Sequence, residues 1–565
     1  MVTKKILLIL GMFFAFLATL SYMSCDIKSP VENVKVIFNT KPISTIVVGT
    51  FVDASTGELI TDKNMQLSIN GEYKYDIVDL DGELKNSFST NNGFVSFAFT
   101  ESVSPSENFP VSITVVVKAE RYITNFIPLN IINEGSTAFT VNMVRYDKMP
   151  EGVTLTTGNI NTDSDGITIN SSTLTATESK TGITSSVTIP QGVKMKDVNG
   201  NVLTGKLTTS MIYYSPKVDE SLKSFPGGFE VNVKQNGFTE QSTFITAGVV
   251  DITIKDASGR EAKTFVTPSY KKNSAFIDTT KPLVQVEIPK DTFNPETNSP
   301  IKEGDEIDLW SITPDSAIWN WEERKKIEYD AALDKYFVSF QPSHLSDWNF
   351  DWKGTECWKG GTIIFQGIKA PYPLRIVLSG LYGQFRSELR IIDGVLNFFR
   401  PPNFPVLIQV YDSNTGKLLG TKTINDLCTF GTLIWELNPT PPTPPRNLII
   451  DAEGYCACNP DLVIRHNALP LWYRNVDLNW GFWLFAGKIE NGQVTVPGIL
   501  SNNRYEYGTW YNGRWYQVTA ILSEDRVEIL NYSPNINSAY SKDADVLYLK
   551  IELPASVCSG LCSSK

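Results

Sequence analysis

Short runs of β-branched and aromatic residues, separated by turn-forming residues, recur along the chain and constrain its fold more than any other feature. Clear examples are Phe94–Phe99, Val111–Val117 and Val546–Leu553. Such runs, which often alternate apolar and polar residues, are typical of β-strands with one buried face. The chain has 565 residues, whereas a single domain usually holds ~100–200. We therefore predict an all-β protein with several β-sandwich domains in tandem.

The N-terminus has the features of an export signal. Lys4 and Lys5 precede an apolar run at 6–20, which is shorter than the ~20 residues that a membrane-spanning helix needs. Ser24-Cys25 resembles the end of a bacterial lipobox, in the looser form of Bacteroidetes-like lipoproteins. The resemblance implies cleavage after residue 24, acylation of Cys25 and attachment to the cell envelope. We expect the outer membrane, facing the periplasm or the cell surface; an ordinary secretory peptide is the alternative.

Charge and histidine content argue against several classes of function. The chain carries 50 Lys and Arg against 61 Asp and Glu, a net charge of −11. Nucleic-acid binding needs concentrated positive charge, so we expect no nucleic-acid partner. The two histidines, His344 and His466, leave few routes to a Ser-His-Asp triad or a histidine-rich metal site. We predict no catalytic residues, no cofactor and no metal, and a glycosidase with paired carboxylates stays open as an alternative.

The cysteines indicate disulfide bonds. With lipid on Cys25, an even number of cysteines remains in an oxidising compartment, where disulfides are the default. Neighbourhood in the sequence favours a bond between Cys357 and Cys428, and bonds between the Cys456/Cys458 pair and the Cys558/Cys562 pair. A zinc site built from the two close thiolate pairs is the competing interpretation.

Turns, prolines and composition divide the chain into units. Segments 53–60 and 412–419 share the pattern Asp-x-x-Thr-Gly, a turn that Asp begins and that Gly closes with a positive φ, and this suggests two sandwiches of one type. Five prolines in 438–446 favour a stiff linker, and the charged segment 321–333 favours a short helix. The predicted units are a signal peptide (1–24), a linker that lifts the first domain from the membrane (25–42), a β-sandwich (43–146), a β-rich region of one or more domains (147–352), a second sandwich (353–437), the proline-rich linker (438–446) and an aromatic-rich β domain (447–565).

Two regions resemble known extracellular modules. Val47–Asp53, the turn that follows and Phe139–Met143 give residues 43–146 a pattern similar to the carboxypeptidase regulatory-like, transthyretin-type domain. The second resemblance, to the extracellular part of cartilage intermediate layer protein, rests on four segments in order: Val187–Gly192, Thr246–Thr253, Ile307–Trp310 and His344–Asn349. Neither resemblance supplies catalytic residues. Together they imply a multidomain extracellular binding or scaffold protein.

The C-terminal unit is dense in aromatic residues between 472 and 516. Most aromatic side chains in β-proteins form core, but rings left over on a sheet face can stack on sugars. The Asn512-Gly513 turn predicts a hairpin that brings Tyr511 and Trp515 together, with Trp510 and Arg514 beside them, and these four are the candidate ligand-binding residues. The sequence thus predicts a lipid-anchored, non-catalytic envelope protein that binds glycan or protein ligands. A structural or adhesive spacer and a glycan-processing enzyme are the alternatives.

Overall fold

The fold is almost entirely β. The computed structural model describes residues 36–39, 43–267, 280–312, 318–354, 357–369, 371–438, 446–478, 483–511, 514–523, 526–532, 536–553, 555 and 558. Strands in many separate sheets confirm the prediction of tandem β-sandwiches. Two short helical elements lie among them, the 3₁₀ turn Glu72–Tyr75 and the helix α1 (Asp219–Lys223). No helix in these ranges combines the length and the hydropathy needed to cross a membrane.

The first sandwich follows a short N-terminal strand that pairs with the C-terminal unit. In chain order the strands are β1 (Val36–Asn39), β2 (Thr45–Asp53), β3 (Met65–Asn70), β4 (Ile77–Val78), β5 (Ser87–Thr90), β6 (Phe94–Phe99), β7 (Val111–Ala119), β8 (Asn125–Ile131) and β9 (Gly135–Met143). The sheets β4-β6-β2-β9 and β5-β3-β7-β8 enclose a core that includes Met65, Phe97 and Val115. The first strand of this sandwich, β2, pairs in parallel with its last, β9.

The second unit is larger and is built around one seven-stranded and one five-stranded sheet. Its strands are β10 (Val153–Asn161), β11 (Ser172–Thr177), β12 (Thr184–Ile189), β13 (Lys194–Lys196), β14 (Lys206–Tyr214), β15 (Glu230–Gln235), β16 (Phe238–Lys255), β17 (Thr264–Val266), β18 (Leu283–Ile288), β19 (Phe293–Asn294), β20 (Ser299–Pro300), β21 (Glu306–Ile312), β22 (Trp319–Lys326), β23 (Glu328–Asp330), β24 (Lys335–Phe340) and β25 (Asp347–Gly354). The large sheets run β10-β14-β16-β15-β22-β21-β25 and β11-β12-β18-β24-β23.

The helix predicted at 321–333 is wrong. These residues form most of β22, all of β23 and the turn that follows. Strand β22 lies between β21 and β15, and Trp319 at its start is 1% exposed. Tertiary pairing therefore overrides the helix-favouring composition of the charged run.

The third unit repeats the topology of the first. Its strands are β26 (Lys359–Gln366), β27 (Leu374–Gly380), β28 (Arg386–Ile391), β29 (Val395–Phe399), β30 (Val406–Asp412), β31 (Leu418–Ile424) and β32 (Thr432–Glu436). The sheets are β29-β26-β32 and β28-β27-β30-β31. As in the first sandwich, the first strand, β26, pairs in parallel with the last, β32.

The repeated turn forms as predicted, but at different places in the two sandwiches. Gly57 and Gly416 adopt φ of 71° and 68°, and each Asp accepts the backbone N–H two residues later. Asp53 ends β2, the first strand of its sandwich, whereas Asp412 ends β30 inside a hairpin. The shared sandwich type therefore rests on the parallel pairing of first and last strands, and the turn is a local similarity.

The C-terminal unit contains the N-terminal strand as well as its own. Its strands are β33 (Arg446–Cys456), β34 (Asn459–Arg465), β35 (Pro470–Asn475), β36 (Leu484–Lys488), β37 (Gln493–Ile499), β38 (Asn503–Tyr511), β39 (Arg514–Leu522), β40 (Val527–Tyr532), β41 (Ile536–Ser541) and β42 (Val546–Glu552). One sheet runs β1-β34-β33-β42-β41 with β37 also on β33, and the other β36-β35-β38-β39-β40. Strand β1 pairs in parallel with β34, so part of the predicted linker 25–42 belongs to this domain.

The four units pack against one another in a closed circuit instead of forming an open string. Each junction is marked by a contact: Asn142 Nδ2 with the Lys223 carbonyl at 3.1 Å, Lys217 Nζ with the Tyr382 carbonyl at 3.0 Å, Asn414 Nδ2 with the Gly498 carbonyl at 2.6 Å, and Lys488 Nζ with the Ile43 carbonyl at 2.8 Å. The last contact joins the C-terminal unit to the first. The 438–446 segment therefore connects two domains that also touch, and its residues 439–445 lie outside the described ranges.

Two disulfides match the predicted pairing. Cys357 bonds to Cys428 and Cys456 to Cys558, with Cα–Cα distances of 5.8 and 5.7 Å. Cys458 is also disulfide-bonded, which disagrees with the zinc interpretation. Cys562, the signal peptide 1–24 and the candidate lipidation site Cys25 lie outside the described residues.

Candidate functional site

The hairpin predicted around Asn512-Gly513 is formed by β38 and β39. Trp510 lies opposite Trp515, and Tyr511 lies opposite Arg514. Cross-strand partners share one face of a sheet, and successive residues alternate between faces. Tyr511 and Trp515 therefore project from opposite faces, and the prediction that they lie together is wrong. The turn residues and the side chain of Arg514 lie outside the described part.

Trp515 is part of the contact between the first and the last domain. Its ring stacks on Phe94 with centroids 4.5 Å apart and planes inclined by 1°. Trp472 and Trp483 also meet Phe94, at 4.8 and 5.7 Å. We call these four rings the aromatic junction. The face of the Trp515 ring that was expected to meet a sugar is thus covered by Phe94. Trp510 is half-buried beside the aromatic junction. Glycan binding by Trp510 and Trp515 stays a prediction.

A glycine permits the close approach of Trp515 to its own sheet. A Cβ at Gly508 would lie 2.0 Å from the Trp515 ring, well inside van der Waals contact. Gly508 is the cross-strand neighbour of Gln517, two positions from Trp515. Gly508, the one glycine of β38, therefore lies where the indole ring of Trp515 crosses the strand.

The other face of β38 lines an internal cavity between the two sheets of the C-terminal domain. The cavity has a volume of about 110 Å³ and is partly open to solvent. Aliphatic side chains from both sheets form most of its wall: Ile450, Ile464, Leu469, Leu471, Ile489, Val518, Ile536, Leu549, Ile551 and Leu553. Concave, mostly apolar sites with a few polar groups are the usual form of small-molecule binding sites. This cavity is the candidate functional site.

Polar groups enter the cavity wall from β38. Tyr507, Thr509 and Tyr511 line it together, as the period-two alternation of a strand requires. The Tyr507 hydroxyl and the Thr509 hydroxyl are buried and make no hydrogen bond within the described part of the chain. Tyr507 is 3% exposed, and burial raises the pKa of its phenol well above the ordinary value. A buried hydroxyl without a partner costs free energy, so these two groups favour a ligand that offers one.

His466 borders the same cavity and contacts Tyr511. The two rings meet edge to face with centroids 5.3 Å apart. His466 is 8% exposed, and burial lowers its pKa to about 4, so the ring is neutral at pH 7. Its Nδ1 accepts the Ala468 backbone N–H at 3.1 Å, which assigns the ring proton to Nε2. His466 therefore offers a neutral N–H donor.

The charges near the cavity are balanced or negative. Glu453 is the charged residue of the lining, and its carboxylate lies 3.8 Å from Arg465. The same guanidinium lies 3.1 Å from Asp451 and is thereby shared between two acids. Burial, and then the charge of Asp81 in the first sandwich, raise the pKa of Tyr511. Arg446, whose charge acts on Tyr507, is likewise paired, at 3.7 Å from Asp545, so these two cations near the described lining are both paired with acids.

The other histidine, His344, lies in a packing position. His344 Nδ1 lies 2.9 Å from the Ser343 hydroxyl, and its ring packs 5.0 Å from Trp348. Burial lowers its pKa. Within the described residues, no group of three or more His, Cys, Asp or Glu side chains is arranged to hold a metal ion.

The sequence prediction named Tyr511 but missed Tyr507, Thr509 and His466. Counting every second residue back from Tyr511 would have found Thr509 and Tyr507 on one strand face. No comparable signal marks His466, which reaches the cavity from the end of β34 in the opposite sheet.

Comparisons with known proteins do not assign the chain to a family. No protein-family model and no curated protein matches it. It is similar to the solved pilus adhesin SpaC from Lactobacillus rhamnosus GG, at 8% identity over 72% of this chain, with TM-score 0.16. The match spans 56% of SpaC, just over half of its length. The Bacillus anthracis TIE protein matches at 9% identity over 91% of this chain and 73% of its own, with TM-score 0.13.

The major pilin subunit BcpA of Bacillus cereus matches at 10% identity over 91% of this chain and 99% of its own, again with TM-score 0.13. TM-scores of this size carry no argument. The function is therefore argued from the site.

Proposed function

We propose that this chain is a lipid-anchored, non-catalytic binding protein of a bacterial cell envelope, and that its C-terminal sandwich holds a ligand in the internal cavity. The predicted export signal and lipidation at Cys25 support the envelope location, at the outer membrane facing the periplasm or the cell surface. The observation that carries the binding role is the cavity itself, with its aliphatic walls and two buried hydroxyls without partners.

The chemistry of the wall favours binding over catalysis. Burial holds Tyr507 in its protonated form and His466 in its neutral form near pH 7. A general acid or base works best when its pKa is close to the working pH, and both groups lie far from it. The wall can therefore donate hydrogen bonds but is poorly suited to transfer protons.

The cavity also changes the expected ligand. A sugar carries hydroxyls on all sides, and most of them would face aliphatic side chains in this site, at the cost of lost hydration. An apolar ligand gains ~25 cal/mol per Å² of surface removed from water. The interior site therefore fits a largely apolar small molecule better than a glycan.

Calorimetric titration with toluene tests the binding role. The intact chain should bind toluene, and Ala452→Leu should abolish binding because the added side chain fills space at the cavity wall. Ala539→Leu is the matched control, since Ala539 is exposed on β41 of the same domain. Absence of toluene binding by a folded protein would refute the proposed cavity function and favour a structural or adhesive role, which the closed packing of the four units also suits.

Lipidation is tested separately. Labelling with a radioactive or clickable fatty acid should mark the wild-type chain, and Cys25→Ser should lose both the label and the membrane attachment. Unchanged labelling in Cys25→Ser would contradict lipidation at this residue.

A further inference from the structure

We propose that the ligand of this cavity is a neutral molecule that places one small ring or short alkyl group inside and presents one hydroxyl or carbonyl to Tyr507 or Thr509. The proposal rests on the binding role argued above and specifies its chemistry. Size, hydrogen bonding and charge support it independently.

The enclosed space sets the size of the buried group. The cavity measures about 110 Å³, and a dry apolar cavity of ~150 Å³ in another protein takes up benzene. One ring, or a chain of a few carbons, therefore fills this site. A larger molecule would have to leave its remaining atoms outside the cavity.

The hydrogen-bonding groups define where the polar atom sits. The Tyr507 and Thr509 hydroxyls lie on one face of β38, two residues apart, and neither has a partner within the described part of the chain. Each can donate or accept one hydrogen bond. A ligand hydroxyl or carbonyl that reaches either one removes the cost of that buried unpaired group, and an apolar substituent of the same size leaves the cost in place.

The surrounding charge excludes an anion. Arg465, which pairs with Glu453 of the lining, is already shared with Asp451, and Arg446, whose charge acts on Tyr507, lies 3.7 Å from Asp545. Burying an ionised carboxylate without an opposite charge is far more costly than burying a neutral hydroxyl. Neutral His466 adds an N–H donor but no charge. A phenol or alcohol is therefore preferred over the corresponding acid.

Isothermal titration of the intact chain with toluene, phenol and benzoate at pH 7 tests this inference. Toluene and phenol differ by exchange of a methyl for a hydroxyl group, and phenol is neutral at this pH. We expect both to bind and benzoate to show no binding. At least one of Tyr507→Phe and Thr509→Val should weaken phenol binding about tenfold, the equivalent of one neutral hydrogen bond, and both should leave toluene binding unchanged.

Tyr505→Phe is the matched control. Tyr505 is buried on the same strand face, but its hydroxyl accepts hydrogen bonds from Asn475 Nδ2 at 3.1 Å and from the Leu500 N–H at 2.9 Å. It should leave the phenol-to-toluene affinity ratio unchanged. Toluene binding without any dependence of phenol on Tyr507 or Thr509, or binding of benzoate, would overturn the inference and leave the binding role intact. Failure of both toluene and phenol would overturn both.

Discussion

Removal of the Trp515 side chain should loosen two domains at once, because its ring belongs to the C-terminal sandwich and packs on the first. Phe94 is 1% exposed, and truncation of a buried Phe costs ~3–5 kcal/mol. Trp515 is half-buried, so we place Trp515→Ala below that range, at ~2–3 kcal/mol. The stacked pair adds ~0.5–1.5 kcal/mol beyond the buried area. Phe94→Ala with Trp515→Ala should therefore cost about 1 kcal/mol less than the sum of the single changes.

Urea unfolding combined with hydrogen exchange and mass spectrometry measures this coupling. Peptides from β6 report on the first sandwich, and peptides from β38 and β39 report on the C-terminal domain. Trp515→Ala should speed exchange in both sets. Trp435→Ala is the control, since Trp435 is buried against Phe365 in the third unit and its effect should add to that of Phe94→Ala. Additive costs for Phe94 and Trp515, or faster exchange in the C-terminal peptides alone, would refute a stabilising contact between the domains.

Three further outcomes follow from the packing. Asp347 faces Asp251 across β25 and β16. Burial, and then the charge of Asp251, raise the pKa of Asp347, so the folded protein favours its protonated form. The free energy of unfolding therefore falls as the pH rises above the pKa that Asp347 has in the unfolded chain. Asp347→Asn should raise the melting temperature more at pH 8 than at pH 4 by calorimetry, and equal shifts would contradict this. Gly508→Ala should destabilise the C-terminal domain by ~1–3 kcal/mol through displacement of Trp515, and an unchanged urea midpoint would count against the close approach. Loss of the Cys357–Cys428 bond, whose sequence separation is 71, should lower the free energy of unfolding by ~4 kcal/mol, provided that the reduced protein unfolds reversibly.

The sequence predicted features that depend on local chemistry. Strand runs such as Phe94–Phe99 form strands, because a short run of β-branched and aromatic residues is a property of the segment alone. The Asn512-Gly513 dipeptide predicted its hairpin because the turn geometry requires positive φ. The same turn pairs residue 511 with 514 and 510 with 515, and this pairing places Tyr511 and Trp515 on opposite faces of the hairpin.

Features made by distant segments could not be read in the same way. Strand β1 pairs Val36 with Leu462, and nothing in the sequence of either segment predicts this pairing. The charged residues of the run 321–333 favour a helix, but its first part forms strand β22 because β21 and β15 pair with that strand on either side. The cavity is a shortage of side-chain volume between two sheets, and that depends on how far apart the backbones lie. The sequence of a single strand therefore does not predict the cavity.

The pairing of β1 with β34 links the proposed lipidation site, through β1, to a strand of the proposed binding site. Phe38 lies opposite Ile464, a residue of the cavity wall. Ten residues separate Cys25 from Val36, and an extended chain spans at most ~3.6 Å per residue. With lipid on Cys25, as we propose, β34 would stay within ~40 Å of the bilayer surface. Neutral ring-bearing molecules partition into membranes and carboxylates do not, so such an anchor would hold the cavity where the proposed ligand class is most concentrated.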